Sequence, residues 1–96
     1  MPGYWIARAK VINPDGYKNY ADLIPSIMEK YDAKVLVRGG DNQIMEGTTE
    51  FNRFVVIEFP TMELAISCFN SAEYQAAAKH RRDGSGEVNI VIADGI

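Results

Sequence analysis

The chain has 96 residues, a length that predicts a single domain over residues 1–96. Hydrophobic residues make up 47% of it, enough for a core of its own, and 10 basic residues against 13 acidic ones give a net charge of −3. This balance argues against a nucleic-acid-binding surface, which needs clustered positive charge, and against a basic helix lying on a membrane.

The N-terminal residues and the cysteine content bear on the compartment. The stretch MPGYWIARAKV lacks the basic and apolar regions of a signal peptide, and no segment approaches the roughly 20 apolar residues of a membrane span. The single cysteine, Cys68, cannot form an intrachain disulfide, which fits a reducing compartment. We therefore expect a cytoplasmic protein that has no membrane or nucleic-acid partner.

The beginning of the chain predicts a strand followed by a helix. Residues 4–11 (YWIARAKV) combine aromatic and β-branched side chains, which favours a strand. Asn13 is suited to cap a helix that has Pro14 in its first turn. Apolar residues then recur at the spacing of an amphipathic helix as far as Tyr31.

Two residues predict where this helix is interrupted and where it ends. Pro25 has no backbone N–H to donate and should kink the helix near Ala21. Asp32 lies where a helix commonly ends in a left-handed residue, a conformation that glycine adopts at lower cost.

Two more strands are expected in the middle of the chain. Residues 34–38 (KVLVR) and 52–59 (NRFVVIEF) have the apolar, β-branched composition of strands. Residues 39–42 (GGDN) indicate a turn after the first of them. Residues 44–47 (IMEG) are expected to add a short extended piece before the second.

The remainder of the chain predicts a helical region and a last strand. Thr61 can cap a helix over residues 62–70, and Ser71 can cap a further helix that reaches about Arg82, with a bend between the two. Residues 87–93 (EVNIVIA) have the composition of the last strand.

The resulting order of strand, helix, strand, strand, helix, strand predicts a ferredoxin-like α+β fold. In this βαββαβ fold a four-stranded antiparallel sheet runs in the order 4-1-3-2 and carries both helices on one face. Side chains alternate between the faces of a strand, and an almost purely apolar set of positions is expected under the helices. Its members are Trp5, Ala7, Ala9, Val11, Val35, Val37, Val55, Ile57, Phe59, Val88, Ile90 and Ile92.

The sheet face away from the helices, here called the open face, is predicted to be too apolar to remain in water. It would carry Ile6, Leu36, Phe54, Val56 and Val91, more apolar surface than a monomer normally exposes. A second copy of the chain is the expected cover. Two sheets packed in this way form a dimeric α/β barrel, so we expect a homodimer.

Charged side chains are also expected on the open face. In the order 4-1-3-2, Glu58 on the third strand would lie between Arg8 on the first strand and Arg38 on the second. We therefore expect an Arg8–Glu58–Arg38 cluster. It could belong to a ligand site, or it could be an ion-pair network that sets the strand register or the dimer.

A set of short motifs spread over the chain carries a resemblance to a known family. The motifs are Tyr17 and Tyr20, LVRGG at residues 36–40, EG at 46–47, VVIEFP at 55–60, SxxYQ at 71–75, Arg81, and DG at 94–95. Together they resemble the domain of unknown function 1330 family over essentially the full chain. The resemblance implies a ferredoxin-like fold and a dimeric α/β barrel, in a superfamily that includes small monooxygenases, isomerases and haem-degrading enzymes. It implies no catalytic role, because the family has no agreed activity, and Asp32 departs from the glycine common there.

The polar residues divide into candidate bases and candidate anion ligands. A partly buried carboxylate can act as a base and a phenol can bond a ligand, whereas arginines hold carboxylates or phosphates through charge-assisted bonds. The catalytic candidates are Glu46, Glu58 and Tyr74, and the ligand-binding candidates are Arg8, Arg38 and Arg81.

Two functions are compatible with these residues. The first is a cofactor-free homodimer that binds or transforms a small, anionic or carbonyl, molecule in a cleft near the sheet, with Glu46 or Glu58 as base. The alternative is a non-catalytic dimeric module that acts through protein contacts, because the sequence contains no recognisable nucleophile, metal set or cofactor motif.

Three further features are expected to be structural. His80 is the only histidine and has no companion at metal-ligand spacing, so no metal site is expected. Cys68 lies inside a predicted helix without an identifiable histidine partner, which favours a buried thiol over a nucleophile. Gly39 and Gly40 indicate a tight turn, since the rest of a phosphate-loop motif is absent.

Overall fold

The computed structural model describes residues 1–96 as a four-stranded sheet with four helices. The elements are β1 (Gly3–Val11), α1 (Pro14–Ala21), α2 (Ile24–Lys30), β2 (Lys34–Arg38), β3 (Arg53–Phe59), α3 (Met62–Asn70), α4 (Ala72–Arg82) and β4 (Gly86–Asp94). The strand order is β2-β3-β1-β4 and every neighbouring pair is antiparallel, which confirms the predicted sheet. No helix of the chain has the length and apolar character needed to cross a membrane.

The helices begin where the sequence places their caps. The Asn13 side chain accepts a hydrogen bond from the backbone of Gly16 at the start of α1. Thr61 Oγ1 accepts from Leu64 N at 3.1 Å, and Ser71 Oγ accepts from Tyr74 N at 3.2 Å. These bonds satisfy N–H groups that have no partner inside a helix, and they separate α3 from α4 at the expected bend.

Pro25 divides the first helical region completely. Helix α1 ends at Ala21, and α2 begins at Ile24 with Pro25 in its first turn. A proline cannot donate to the carbonyl four residues earlier, whereas in a first turn its missing N–H costs nothing. The expected kink near Ala21 is therefore a break between two short helices.

The end of α2 contains a non-glycine residue in the left-handed region, since Asp32 has a φ of 53°. Such a conformation costs a residue with a Cβ about 1 kcal/mol. We therefore expect Asp32→Gly to raise the free energy of unfolding by about 0.5–1 kcal/mol in urea titrations. Asp22→Gly is the matched control, because Asp22 has a φ of −67° and glycine there should lower stability. Equal effects of the two substitutions would contradict the argument.

The core lies between the helices and one face of the sheet. Trp5, Ile57 and Phe59 are almost completely buried under α3 and α4. The Trp5 indole donates to the Ala65 carbonyl at 2.9 Å and meets the Tyr74 ring edge-on at 4.9 Å. The predicted helix-facing set is thus correct for β1, β3 and β4 near the centre of the sheet.

A β-bulge reverses the predicted faces at the end of β2. Val35 pairs with Ile57, but the next pairs are Val37 with Val56 and Arg38 with Val55, so Leu36 is an extra residue. A bulge of this kind lets two successive side chains oppose one residue of the partner strand. Val37 consequently lies on the open face, and Arg38 turns to the helix side. The expected faces of these two residues are wrong.

The connection between β2 and β3 is a loop over residues 39–52. The segment at residues 44–47, expected to be extended, forms no strand of the sheet. Asn42 closes the base of the loop by donating from Nδ2 to the Asn52 carbonyl at 3.0 Å. Glu50 attaches the loop to β1 through an ion pair with Lys10 at 3.3 Å.

The open face is as apolar as the sequence predicts. Ile6 and Leu36 are each 49% exposed, Val37 is 42% exposed and Val91 is 61% exposed. The register places Ile6 between Val56 and Val91, so these side chains form one continuous surface across β3, β1 and β4. None of the four helices covers it.

Candidate functional site

A cavity of about 80 Å³ lies between the helix side of the sheet and helices α1 and α2. Twelve of its 16 lining residues are hydrophobic, which makes its interior mainly apolar. The lining residues are Trp5, Ala7, Arg8, Ala9, Tyr17, Tyr20, Ala21, Ile24, Pro25, Val35, Arg38, Arg53, Val55, Ile57, Val88 and Ile90.

Small side chains on the central strand create this space. Ala7 and Ala9 occupy helix-facing positions of β1, and Ala7 lies between the larger Val55 and Ile90 of the neighbouring strands. Ala7 keeps part of its surface accessible although it lies at the centre of the sheet. An alanine at such a position leaves a volume that valine or leucine would fill.

Three arginines line the cavity. Two of them, Arg38 and Arg53, stand at its rim on the helix-facing side of the sheet, whereas Arg8 has an open-face position on β1. Arg38 is exposed there as a consequence of the β2 bulge, and Pro25 is exposed on the α2 side. Arg53, at the start of β3, is half-buried and lines the same cavity. Arg53 pairs with Ala9 in the sheet register and therefore shares its helix-facing side.

The Arg53 guanidinium is held between an aromatic ring and a glycine. It lies 5.7 Å from the centroid of the Tyr17 ring, a favourable cation–π distance. Gly39 has a φ of +58°, and a Cβ at this residue would collide with the Arg53 guanidinium. Glycine at this position therefore gives both the turn and the room for the arginine.

The positive charge of this site has no counter-ion in the chain. The three ion pairs are Lys10–Glu50, Lys18–Asp22 and Lys30–Glu73, so neither rim arginine takes part in one. The Arg53 Nε is buried and has no hydrogen-bond partner. Buried charged donors are normally paired, because desolvation without a partner costs free energy.

The expected Arg8–Glu58–Arg38 cluster does not form. Arg8 lies opposite Phe54, four positions from Glu58 along β3, which separates the two backbones by about 13 Å. Arg38 is turned to the helix side by the bulge. The Arg8 guanidinium instead lies 5.3 Å from the Phe51 ring, and Glu58 is opposite Tyr4 and Lys34.

The remaining candidates lie away from the cavity. Glu46 is exposed in the loop over residues 39–52. Tyr74 and Arg81 are buried between α1 and α4, where Arg81 Nη2 donates to the Tyr74 hydroxyl at 3.2 Å. That hydroxyl also shares a hydrogen bond of 2.9 Å with the Tyr20 hydroxyl.

The buried phenol of Tyr20 is held in its protonated form. Burial, and next the neighbouring Tyr74, raise the pKa of Tyr20 far above its usual value. Burial alone would lower the pKa of Arg81, but its hydrogen bond to Tyr74 and the adjacent phenols raise it overall. Arg81 is therefore a charged side chain that is only 5% exposed.

Cys68 and His80 also lie outside the cavity. Cys68 has no exposed surface and is a free thiol. Burial raises its pKa to about 12, so almost no thiolate forms near neutral pH. His80 is exposed near the end of α4, and no three His, Cys, Asp or Glu side chains of the chain gather as a possible metal site.

The lining suits binding better than proton transfer. The cavity presents arginines, tyrosines and apolar side chains, but no carboxylate, imidazole, thiol or lysine. Arginine stays charged at all ordinary pH values and donates hydrogen bonds without accepting them. The arrangement can therefore hold an anion or another hydrogen-bond acceptor next to an apolar body.

Sequence reasoning missed Arg53, although a signal for it existed. The helix-facing set predicted for the third strand begins at Val55. The alternation of side chains along this strand places Arg53, two residues earlier, on the same face. The alanines at residues 7 and 9 gave a second signal, as the smallest members of a set of large apolar residues. No local signal revealed the bulge that brings Arg38 to the same cavity.

One family model matches nearly the whole chain. The model of the family described as "Domain of unknown function (DUF1330)" covers residues 2–96. No curated protein matches the chain.

Solved structures of similar fold cover the chain from end to end. A protein of unknown function from Rhodopseudomonas palustris is 16% identical with a TM-score of 0.72, over 99% of this chain and 82% of its own. A dimeric ferredoxin-like protein of unknown function from Bacteroides fragilis is 14% identical with a TM-score of 0.65, over 98% and 96%. A proposed antibiotic biosynthesis monooxygenase from Caulobacter crescentus is 16% identical with a TM-score of 0.60, over 99% and 90%. At these identities the likeness shows the fold, which is ferredoxin-like.

Proposed function

The chain belongs to the DUF1330 family, a family of unknown function, and from this premise we propose that it is a homodimer that binds a small molecule in the cavity between sheet and helices. The observation that carries the proposal is an unfilled apolar cavity of about 80 Å³. Protein interiors are normally close-packed. A void of this volume costs about 2 kcal/mol relative to a filled core, and a bound ligand would offset that cost.

The composition of the lining favours a binder over an acid–base enzyme. Neither of the two expected bases lines the cavity. Glu46 lies in the loop over residues 39–52, and Glu58 lies on the open face of β3. Ligands of both expected classes, anionic and carbonyl compounds, accept hydrogen bonds from guanidinium groups. The residues proposed to meet the ligand are therefore Arg38 and Arg53, and not the carboxylates.

The open face supports the homodimer. Its apolar side chains on three adjacent strands are uncovered in the protomer, and a similar protein from Bacteroides fragilis is dimeric. The same surface supports the alternative of a dimeric module without a ligand, so occupancy of the cavity distinguishes the two. The proposed location is the cytoplasm, supported by a cysteine that is free and buried.

The test combines native mass spectrometry with a variant that fills the cavity. We expect gently purified protein to appear as a dimer that carries extra mass, and Ala7→Leu to remain a dimer but lose that mass. The leucine should also raise the free energy of unfolding by about 1 kcal/mol, because it occupies the void.

Ala76→Leu is the matched control, since Ala76 is exposed on α4 and lies outside the cavity. It should keep the extra mass. Extra mass that persists in Ala7→Leu would place the ligand elsewhere, and a dimer without extra mass in every variant would favour the alternative module.

A further inference from the structure

Building on the proposed binding function, we infer that the ligand is a small aliphatic monocarboxylate. Its carboxylate lies at the rim between Arg38 and Arg53, and its apolar body fills the space beside Ala7 and Ala9. The inference rests on charge, on the polar groups of the lining and on volume.

The charge of the rim favours an anion. Three arginines line one small cavity, namely Arg8, Arg38 and Arg53, and the chain supplies none of them with a carboxylate partner. Arg38 and Arg53 are the two on the helix-facing side, and Arg53 is half-buried. Like charges held close together repel each other, and a desolvated cation without a partner is unfavourable. A neutral carbonyl ligand would leave both charges unpaired, whereas an anion forms charge-assisted hydrogen bonds with them.

The geometry favours a carboxylate over a phosphate. Phosphate sites generally add backbone N–H groups from a helix N-terminus or a nest to their side-chain ligands. Here the N–H of Gly39, next to both arginines, already donates to the Phe54 carbonyl at 2.8 Å. The planar guanidinium of Arg53, held against Tyr17, matches the planar carboxylate fork.

The interior of the cavity offers few free polar groups. The Trp5 indole N–H is engaged with the Ala65 carbonyl and the Tyr20 hydroxyl with Tyr74, which leaves the Tyr17 hydroxyl as the one phenol of the lining without a hydrogen bond. An amino or hydroxyl group on the ligand body beside Trp5 or Tyr20 would be buried without a partner. This disfavours amino acids and hydroxy acids as ligands and favours hydrocarbon bodies.

The volume limits the size of that body. An apolar cavity of 150 Å³ binds one benzene molecule, and this cavity has about half that volume. A branched body of roughly three or four carbons therefore fits, and an aromatic ring does not.

The experiment measures binding of 3-methylbutanoate and of its neutral isostere 3-methylbutanamide by shifts of backbone amide resonances in two-dimensional NMR. We expect the acid to shift resonances of the cavity residues and to bind at least about tenfold more tightly than the amide. Benzoate, 2-amino-3-methylbutanoate and methyl phosphate should each bind more weakly than 3-methylbutanoate.

Two substitutions test the arginines separately. Arg53→Met and Arg38→Met should each weaken binding of the acid by about tenfold or more, and weaken binding of the amide by a smaller factor, because the amide loses a hydrogen bond but no charge pairing. Arg38→Met should not lower the midpoint of urea unfolding, since it removes one of several unpaired like charges and no packed contact of Arg53 with Tyr17. Arg38 is exposed, so its variant remains informative if Arg53→Met fails to fold.

Glycine variants test the position of Arg53 without removing it. Gly39→Ala displaces the guanidinium and should weaken acid binding as Arg53→Met does. Gly40→Ala meets open space and should bind normally. Gly47→Ala controls for backbone strain, because Gly47 has a φ of +114° and no atoms near its Cβ position.

Each outcome separates this inference from the proposed function. If acid and amide shift the same cavity resonances with equal affinity, the carboxylate assignment is wrong and the cavity remains a binding site. If methyl phosphate binds more tightly than 3-methylbutanoate, the carboxylate head group is wrong. If benzoate binds more tightly than 3-methylbutanoate, the inferred size of the ligand body is wrong. If no probe binds while native mass spectrometry still finds extra mass that Ala7→Leu removes, the ligand class is wrong and the proposed function stands.

Discussion

Replacing Ile6 with glutamate is expected to convert the proposed homodimer to a monomer. Ile6 lies at the centre of the open face, between Val56 and Val91, and is 49% exposed in the protomer. The protomer can therefore keep the new carboxylate in water, but a face-to-face dimer would bury one copy from each subunit. Two unpaired buried charges should raise the dissociation constant at least about 100-fold.

Analytical ultracentrifugation at micromolar concentrations measures this change, and circular dichroism establishes that the protomer remains folded. Ile66→Glu is the matched control, because Ile66 is 40% exposed but lies on α3, on the other side of the sheet. It should leave the dimer intact. A dimeric Ile6→Glu variant would show that the subunits associate through a different surface. If Ile6→Glu does not fold, Val91→Lys tests the same surface at a more exposed residue.

The overall fold could be predicted from the sequence because its signals are local and agree with each other. Asn13, Thr61 and Ser71 each precede a helical pattern, and each one accepts a capping hydrogen bond in the structure. Pro25 interrupts its pattern at a point where the chain divides into two helices. Asp32 departs from glycine at a position that does have a positive φ.

The site was predicted less well because it depends on register. The alternation in KVLVR is regular, so nothing in residues 34–38 indicates that Leu36 is an extra residue opposite β3. A shift of one residue moves every later side chain to the other face of the sheet. Arg38 therefore lies at the cavity that it shares with Arg53, and not in the expected cluster with Glu58.

Long-range pairing explains the other error. The alternation of side chains places Arg8 and Glu58 on the same face of adjacent strands, and sequence alone can establish this. Sequence alone does not establish how far apart the two residues lie along those strands. The register sets them four positions apart. Side-chain parity therefore predicted the shared face correctly, while contact between the two charges required the structure.

The buried Arg81 shows how a residue expected at a ligand site can instead be part of the core. Its guanidinium lies 5.1 Å from the Tyr20 ring and donates to the Tyr74 hydroxyl. No carboxylate pairs with it, and its Nε has no hydrogen-bond partner. The Tyr74 hydroxyl is therefore the principal acceptor available to a buried charge.

Tyr74→Phe is expected to lower the free energy of unfolding by about 2–4 kcal/mol, although it removes a single oxygen atom. The substitution leaves the guanidinium of Arg81 buried without its acceptor, which costs more than the loss of an ordinary hydrogen bond. Urea unfolding at one fixed protein concentration measures the effect, because the stability of the proposed dimer would depend on concentration.

Tyr20→Phe is the matched control, since it removes the bond between the two phenols but leaves the acceptor of Arg81 in place. It should cost only about 1 kcal/mol. Arg81→Met removes the buried charge together with its need for a partner, so the double variant Tyr74→Phe/Arg81→Met should recover most of the stability lost in Tyr74→Phe. Additive losses in that double-mutant cycle would mean that the Tyr74 hydroxyl stabilises the core independently of Arg81, and the charge would then be solvated in some other way.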